Sequence, residues 1–296
     1  GMAWVADADL AAAVSNGGGL GVIAAGSMPP DLLESQIAKV RTLTNKPFGV
    51  NIMLLSATAD AALEVVERNR VPVVTTGAGA PGKVIERLKP LGTKVIPVIA
   101  SVAHAKRVEK QGADAVIAEG MEAGGHIGEI TTMVLVPQIV DAVNIPVVAA
   151  GGVAEPRGVL AAFSLGAEGV QVGTRFVCAC ESNAHKAFKN EIIKARDRST
   201  AITGASTGHP VRCIQNRLTR EFARLEKAGA SVEELEKLGT GRLRAAVVEG
   251  DVEFGSVMAG QSAALVNRIQ PAAEMIRELF EGTQEMFESL HRFSNH

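Results

Sequence analysis

The residues best suited to chemistry lie in one short loop, EGMEAGGHIG, at residues 119–128. His126 stands there between glycines, which permit tight turns and positive φ angles. A histidine titrates near neutral pH, so it can accept or donate a proton under physiological conditions. A lone histidine is more often structural, but this glycine-rich setting makes His126 the candidate catalytic residue. Glu119 and Glu122 could orient it, hold a ribityl hydroxyl or coordinate a cation.

The sequence does not support a nucleophilic residue or a metal site as the reactive centre. Cys178 and Cys180 follow an apolar stretch with no histidine nearby, and no GxSxG motif occurs. The two cysteines also lack a second cluster of ligands, so we expect no metal site. Three cysteines cannot all pair, which fits a reducing compartment. Without a nucleophile or a metal, a bound cofactor should supply the reactivity.

Two amide side chains interrupt apolar runs. Asn51 lies within FGVNIML and Gln171 within GVQVG. A buried amide needs hydrogen-bond partners. Each amide therefore either satisfies a neighbouring strand end or binds a flat polar ring, such as the pyrimidine edge of a flavin.

Seven short apolar runs alternate with segments of helical spacing. Continuous apolar runs indicate strands that are covered on both faces. The runs occupy residues 20–24, 48–54, 71–76, 94–100, 115–119, 146–150 and 169–173. We place an eighth strand, first in order, at or just before residues 1–4, because DADLAAAVSNGG already has the pattern of a first helix.

This rhythm predicts an α/β fold of the (β/α)₈ TIM barrel class. The alternative is a doubly wound sheet, which would need its glycine fingerprint after the first strand, whereas GGGLG precedes a strand here. The rhythm ends near Lys194. We therefore predict a barrel at residues 1–194, a small lid at 195–255 and a C-terminal segment at 256–296 whose helices return to the barrel, with Pro271 starting or kinking a helix.

Glycines follow the seventh and eighth predicted strands. Gly151 and Gly152 lie in AAGGV, and Gly173 lies in QVGTRF. In barrels of this class, phosphates favour these two loops. Glycine lets backbone N–H groups approach an anion, and a helix after Thr174 would add its positive end. Together the two loops predict a phosphate site.

Charge and composition exclude several classes of partner. Thirty basic and thirty-two acidic residues argue against bulk nucleic-acid or membrane binding. No apolar run is long enough to span a membrane and no signal peptide is evident, so a soluble, cytoplasmic protein is expected.

The predicted lid carries its own charge. Residues 194–250 hold eleven basic and seven acidic residues, a net charge of +4. This is either a solvated surface or a docking site for an acidic partner or a phosphate-bearing substrate. The docking candidates are Arg212, Arg217, Arg220 and Arg224.

Several motifs together resemble one known family. They are PFGVNIMLL, VTTGAGAPG, EGMEAGGHIG, AAGGVAEP, GVQVGTRF, TGHPVR and GDVEFGSVMAGQSAALV. The chain resembles the FMN-dependent enoyl-acyl carrier protein reductases of the FabK type, within the nitronate monooxygenase superfamily. AGGH and QVGT are shared across that superfamily. Ile127, GHPVR and GSVMAGQS favour the reductases.

The resemblance implies FMN as cofactor, with its phosphate near Gly152, Gly173 and Thr174. It also implies that residues 1–3 lie beside the isoalloxazine ring. The implied FMN-binding residues are Gly1, Met2, Ala3, Asn51, Glu119, Gly124, Gly125, Gly151, Gly152, Gln171, Val172, Gly173 and Thr174.

The implied activity belongs to type II fatty acid synthesis. NADH or NADPH would reduce FMN, which would pass a hydride to the β-carbon of a trans-2-enoyl thioester on an acidic acyl carrier protein. His126 would supply the α-carbon proton or orient the thioester carbonyl. The alternative is a nitronate monooxygenase, in which the same histidine deprotonates the substrate and O₂ is consumed. A homodimer, formed through the alanine-rich C-terminal helix, is also expected by resemblance.

Overall fold

A computed structural model describes residues 1–291 of the protein. Its main sheet contains seven parallel strands, and three short strands form a second sheet. The strands are β1 (Gly21–Ala24), β2 (Phe48–Met53), β3 (Val73–Gly77), β4 (Lys94–Ile99), β5 (Val116–Glu119), β6 (Gly125–His126), β7 (Val147–Ala150), β8 (Gly169–Gln171), β9 (Thr200–Thr203) and β10 (Val211–Ile214).

Helices cover the main sheet and continue beyond it. They are α1 (Ala8–Asn16), α2 (Pro30–Leu43), α3 (Ala59–Arg68), α4 (Gly82–Leu88), α5 (Val102–Gln111), α6 (Thr132–Val140), α7 (Pro156–Ser164), α8 (Thr174–Val177), α9 (Lys186–Ile193), α10 (Arg217–Lys227), α11 (Val232–Gly239), α12 (Arg242–Arg244) and α13 (Ala272–His291). Within residues 1–291, none of them is both long and apolar enough to cross a lipid bilayer.

The order of the main sheet settles its class. Its strands run β1-β2-β3-β4-β5-β7-β8, and each neighbouring pair is parallel. A doubly wound sheet would reverse its order at a switch point, and this sheet does not. The predicted (β/α)₈ barrel class is confirmed. All seven apolar runs contain a strand. In β2 both faces are covered, because the consecutive residues Val50, Asn51 and Ile52 are all buried.

Of the two predicted places for the first strand, residues 1–4 are wrong, because they form no strand. The N–H groups of Val5 and Ala6 both donate to the Met2 carbonyl, and Trp4 takes a left-handed φ of 65°. This turn prevents the extended backbone that a strand requires. The turn leads into α1, where the Asp7 side chain accepts a hydrogen bond from the Leu10 N–H.

The lid segment, residues 195–255, contains β9, β10, α10, α11 and α12. Strand β10 pairs antiparallel with β9 and with β6, so the second sheet joins this segment to the loop after β5. Helices α10 and α11 share a small core of Leu218, Phe222 and Leu235.

The C-terminal helix α13 packs against α7 and α1 of the barrel. Helix α13 begins directly after Pro271, which therefore starts a helix and does not kink one. The Thr283 hydroxyl donates to the Pro156 carbonyl at the start of α7. A side chain on Gly282 would collide with Pro156, so glycine permits this close packing.

Candidate active site

The predicted site residues meet at one end of the barrel. Parallel strands direct their carboxyl ends to a single face, where barrels of this class bind ligands. Asn51 lies in β2, Glu119 ends β5, and Gln171 ends β8. Gly151 and Gly152 follow β7.

The first three residues cross this face. A Cβ on Gly1 would lie 2.8 Å from the Asn51 side chain, and a Cβ on Gly173 would lie 3.5 Å from Met2 Sδ. Ala3 packs against the position of Gly26, just after β1. Residues 1–3 therefore lie beside β2, the segment after β1 and the segment after β8.

Asn51 is buried and partly satisfied by its neighbour. Its Nδ2 donates to Thr75 Oγ1 on β3 at 2.9 Å, and the two residues are in register. This bond uses one hydrogen of the amide. A primary amide has a second hydrogen and an acceptor oxygen, so Asn51 keeps capacity for a ligand.

Glu119 lies in a poorly hydrated position. Burial raises the pKa of its carboxyl above the ordinary value, because the charged form loses hydration. A carboxyl with a raised pKa can carry a proton and donate a hydrogen bond. Glu122 is different: its two oxygens accept from the Thr132 N–H at 3.0 and 2.9 Å, and one accepts from the Thr132 hydroxyl. Glu122 thus caps α6 and does not orient His126.

The glycines after β7 and β8 meet different requirements. Gly151 and Gly152 adopt φ angles of 93° and 77°, which only glycine takes without strain. Gly173, Val172 and Gln171 are half-buried, in contrast to the central strands.

The helix predicted after Thr174 is α8, which has only four residues and so contributes the dipole of a single turn. The Thr174 hydroxyl accepts a hydrogen bond from the Gly260 N–H at 2.9 Å.

Two more predicted cofactor residues are glycines for structural reasons. A Cβ on Gly124 would lie 2.6 Å from the Ala259 backbone, and Gly125 has a φ of 75°. Close packing and backbone conformation therefore account for both glycines without a ligand.

His126 lies on β6, where it pairs with Val211 of β10. Its side chain lines a cavity of about 340 Å³ between the barrel face and the lid segment. His126 keeps an exposed face, but partial loss of hydration at the cavity wall, and then the nearby His209, lower its pKa below the ordinary 6.5. The imidazole is therefore mostly neutral at pH 7.

His209 lines the same cavity, and sequence reasoning left it without a role. The signal was present in TGHPVR, but the pairing of β10 with β6 was needed to bring this motif to His126. The lid residues Phe222 and Leu235 also line the cavity and were missed for the same reason.

Arg212 was predicted wrongly as a docking residue. It is only 4% exposed. Its Nε and Nη2 donate to the Met121 carbonyl, both at 3.1 Å, and its Nη1 donates to the Thr200 hydroxyl. The guanidinium lies inside the molecule because it ties the loop of His126 to the lid segment.

The cysteines show no sign of an activated thiol. Burial raises the pKa of Cys178 and of Cys213 to about 11, so both thiols stay protonated at neutral pH. Within residues 1–291, no three His, Cys, Asp or Glu side chains are grouped so as to hold a metal ion.

Comparison with known proteins identifies the class. The family model for nitronate monooxygenase matches residues 1–62 and 54–282. A "Probable nitronate monooxygenase" of Staphylococcus aureus is 36% identical over 88% of this chain and 87% of its own length. An octahydro-indene carboxyl-CoA dehydrogenase of Rhodococcus jostii is 42% identical over 75% of this chain, and the match spans 63% of that protein. The chain therefore belongs to the nitronate monooxygenase family.

Solved structures show which kinds of enzyme in this family the chain resembles. FabK from Thermotoga maritima has a TM-score of 0.96 and 52% identity, covering 99% of this chain and 94% of that one. A nitroalkane oxidase from Streptomyces ansochromogenes has a TM-score of 0.86 and 32% identity, covering 98% and 95%. The predicted likeness to FabK-type enzymes is confirmed, and the chain is an FMN-type oxidoreductase.

Proposed function

We propose that the protein is an enoyl-acyl carrier protein reductase of type II fatty acid synthesis that contains FMN and uses NADH or NADPH. The observation that carries this proposal is the likeness to FabK over nearly the whole chain, including the lid segment. The octahydro-indene carboxyl-CoA dehydrogenase is named for a coenzyme A thioester, which is the same chemical class of substrate.

The residues at the barrel face fit FMN. The backbone N–H groups at Gly152, with its positive φ, and at Gly173 suit a phosphate. Asn51 and Gln171 offer amides for the polar edge of the ring system, and residues 1–3 would lie beside it. Glu119 would hold a ribityl hydroxyl with its buried carboxyl. The other cofactor residues of the proposal are Gly124, Gly125, Gly151, Val172 and Thr174. When bound, FMN supplies hydride transfer between the nicotinamide and the substrate.

His126 handles the polar end of the substrate in this proposal. Its lowered pKa keeps the imidazole neutral, so one ring N–H can donate to the thioester carbonyl. That hydrogen bond polarises the carbonyl and so favours hydride addition at the β-carbon. The α-carbon then takes a proton from solvent, because a neutral imidazole is a poor acid and His126 acts here through the carbonyl.

The rest of the proposal concerns partners and assembly. The acyl carrier protein would dock on Arg217, Arg220 and Arg224, since Arg212 is buried. A cytoplasmic homodimer and a small lid at residues 195–255 also belong to it.

One assay separates this proposal from its main alternative, nitronate oxidation, which the nitroalkane oxidase neighbour favours. The purified protein should be yellow and should oxidise NADH or NADPH when crotonoyl thioester is added. Nitroalkane with O₂ is the parallel substrate. Turnover of the nitroalkane without reduction of the enoyl thioester would refute the reductase proposal.

A further inference from the structure

The cavity beside His126 extends well beyond that side chain. Its volume of about 340 Å³ lies within the usual range for small-molecule sites. The barrel contributes Met53 and Leu55 to its walls, and the lid segment contributes α10 and α11. The cavity is therefore continuous with the candidate site and enters the lid segment.

The two ends of the cavity differ chemically. His126 and His209 mark one end, where β6 meets β10. Leu218, Phe222 and Leu235 line the cavity from α10 and α11, where they form the lid segment's own core, and the exposed Glu236 lies beside them in the lining. An occupant with a polar head and an apolar tail would match this arrangement.

The threonine hydroxyl groups in the lining do not require a polar tail, because each of them donates a hydrogen bond within the protein. Thr203 Oγ1 donates to the Val211 carbonyl at 3.3 Å, and Thr207 Oγ1 donates to the Gly204 carbonyl at 2.8 Å. Thr219 Oγ1 donates to the Asn216 carbonyl at 3.0 Å.

Gly239 controls the room at the apolar end. It closes α11 without a positive φ, so its backbone does not require glycine. A Cβ there would lie 3.3 Å from Phe222 Cζ, which is a tight contact. Any larger side chain at 239 would push the Phe222 ring or fill the space beside it.

We propose that this cavity holds the acyl chain of the thioester, and that Gly239 and Phe222 set the chain length that fits. This inference rests on the proposed function, because the thioester carbonyl must lie at His126. The lid segment then selects substrates through the depth of its apolar end.

The dependence of kcat/KM on the length of the acyl chain should report the depth of the cavity. Each methylene that enters an apolar site strengthens binding about fourfold. For the natural chain, kcat/KM should rise by about that factor per added methylene and then level off when the cavity is full. Gly239→Val should move the plateau to shorter chains, and Phe222→Leu to longer ones.

The test uses two measurements on the FMN-loaded protein. The first is kcat/KM for trans-2-enoyl-CoA thioesters of four to twelve carbons. The second is calorimetric binding of the saturated acyl-CoA series, which needs no turnover. Ala223→Val is the matched control, because it adds the bulk of two methyl groups to the exposed face of α10.

The outcomes separate the two proposals. A shifted plateau in Gly239→Val and Phe222→Leu, with Ala223→Val unchanged, supports the acyl-chain cavity. The same binding profile in all four proteins overturns it, whether or not the enoyl thioesters are reduced. Failure of the natural chain to reduce even the four-carbon substrate would instead refute the proposed function, while the binding series would still decide the use of the cavity.

Discussion

At the scale of single residues, the protonation of His126 depends on its neighbour. Partial loss of hydration lowers the pKa of His126 below 6.5, and the charge repulsion between the two imidazoles acts in the same direction. A group with a lowered pKa in the folded state loses its stabilising contribution as the pH falls through that value. Because its pKa is lowered, His126 should stay neutral at pH 7 and become protonated only in mildly acidic solution.

His209→Gln should shift the pH dependence of activity. Removing the neighbouring positive charge raises the pKa of His126, so the acid limb of the kcat/KM profile should move to higher pH. The measurement is kcat/KM with crotonoyl-CoA between pH 5 and 8, with the pH range set around the ordinary histidine pKa of about 6.5. His104→Gln, on α5, serves as control. Superimposable profiles for His209→Gln and the natural chain would show that His209 does not act on His126.

Gly152 offers a second test at residue scale. Gly152→Ala should cost about 1–2 kcal/mol of folding free energy, since its φ of 77° is left-handed. It should also lose FMN, because the backbone would leave the geometry that the phosphate needs. Gly92→Ala is matched in strain, with a φ of 80° and open space around it. Flavin absorbance per protein should fall only in Gly152→Ala; equal retention in both variants would place the phosphate elsewhere.

At the scale of elements, the join between the β6 loop and β10 depends on Arg212. Arg212→Met should lower the free energy of unfolding by about 1–3 kcal/mol, because the Met121 carbonyl loses its partner inside the protein. It should also lower kcat, since His126 is on the same loop. Urea unfolding and crotonoyl-CoA kinetics measure the two effects. Arg220→Met, on the exposed side of α10, is the control. If Arg212→Met and this control have the same kcat, Arg212 does not influence His126.

Helix α10 separates its apolar and basic residues. Leu218 and Phe222 face inward, while the side chains of Arg217 and Arg224 are 61% and 65% exposed. Their ion pairs with Glu253 and Glu221 are exposed and therefore weak, so an acidic partner can compete for the arginines.

Charge reversal on α10 should act on the carrier and not on the chemistry. We expect Arg217→Glu, Arg220→Glu and Arg224→Glu together to raise KM for enoyl-acyl carrier protein about tenfold or more, because steering by opposite charge is lost. Kinetics with crotonoyl-CoA should not change. Reversal of Lys106, Arg107 and Lys110 on α5 is the control. An unchanged KM for the carrier substrate would exclude α10 as the docking surface.

At the scale of the whole molecule, the three thiols differ in burial and therefore in expected reactivity. Cys178 and Cys213 are buried with pKa values of about 11, whereas Cys180 is exposed. At pH 8, one thiol should react rapidly with a chromogenic disulfide in the native protein, and all three should react after unfolding. Cys180→Ser should abolish the rapid phase. Rapid labelling of a second thiol would mean that the interior opens more readily than this packing allows.

Much of the fold could be predicted from local patterns. A strand covered on both faces must be apolar throughout, so the seven runs were visible without knowledge of their neighbours. Their alternation with helices predicted the barrel, and that class directed Asn51, Glu119 and Gln171 to one face. Composition and spacing alone also singled out His126.

The tertiary structure decided what depends on distant contacts. Residues 1–4 were one predicted place for the first strand because a helix pattern follows them, yet they turn and lie against Asn51 and the position of Gly173. Arg212 had the type of a surface cation, yet the register of β10 with β6 turns it inward. That same register brings His209 to His126, across more than eighty residues of chain. Local sequence carries no record of such pairings, because they arise only when the lid segment packs on the barrel.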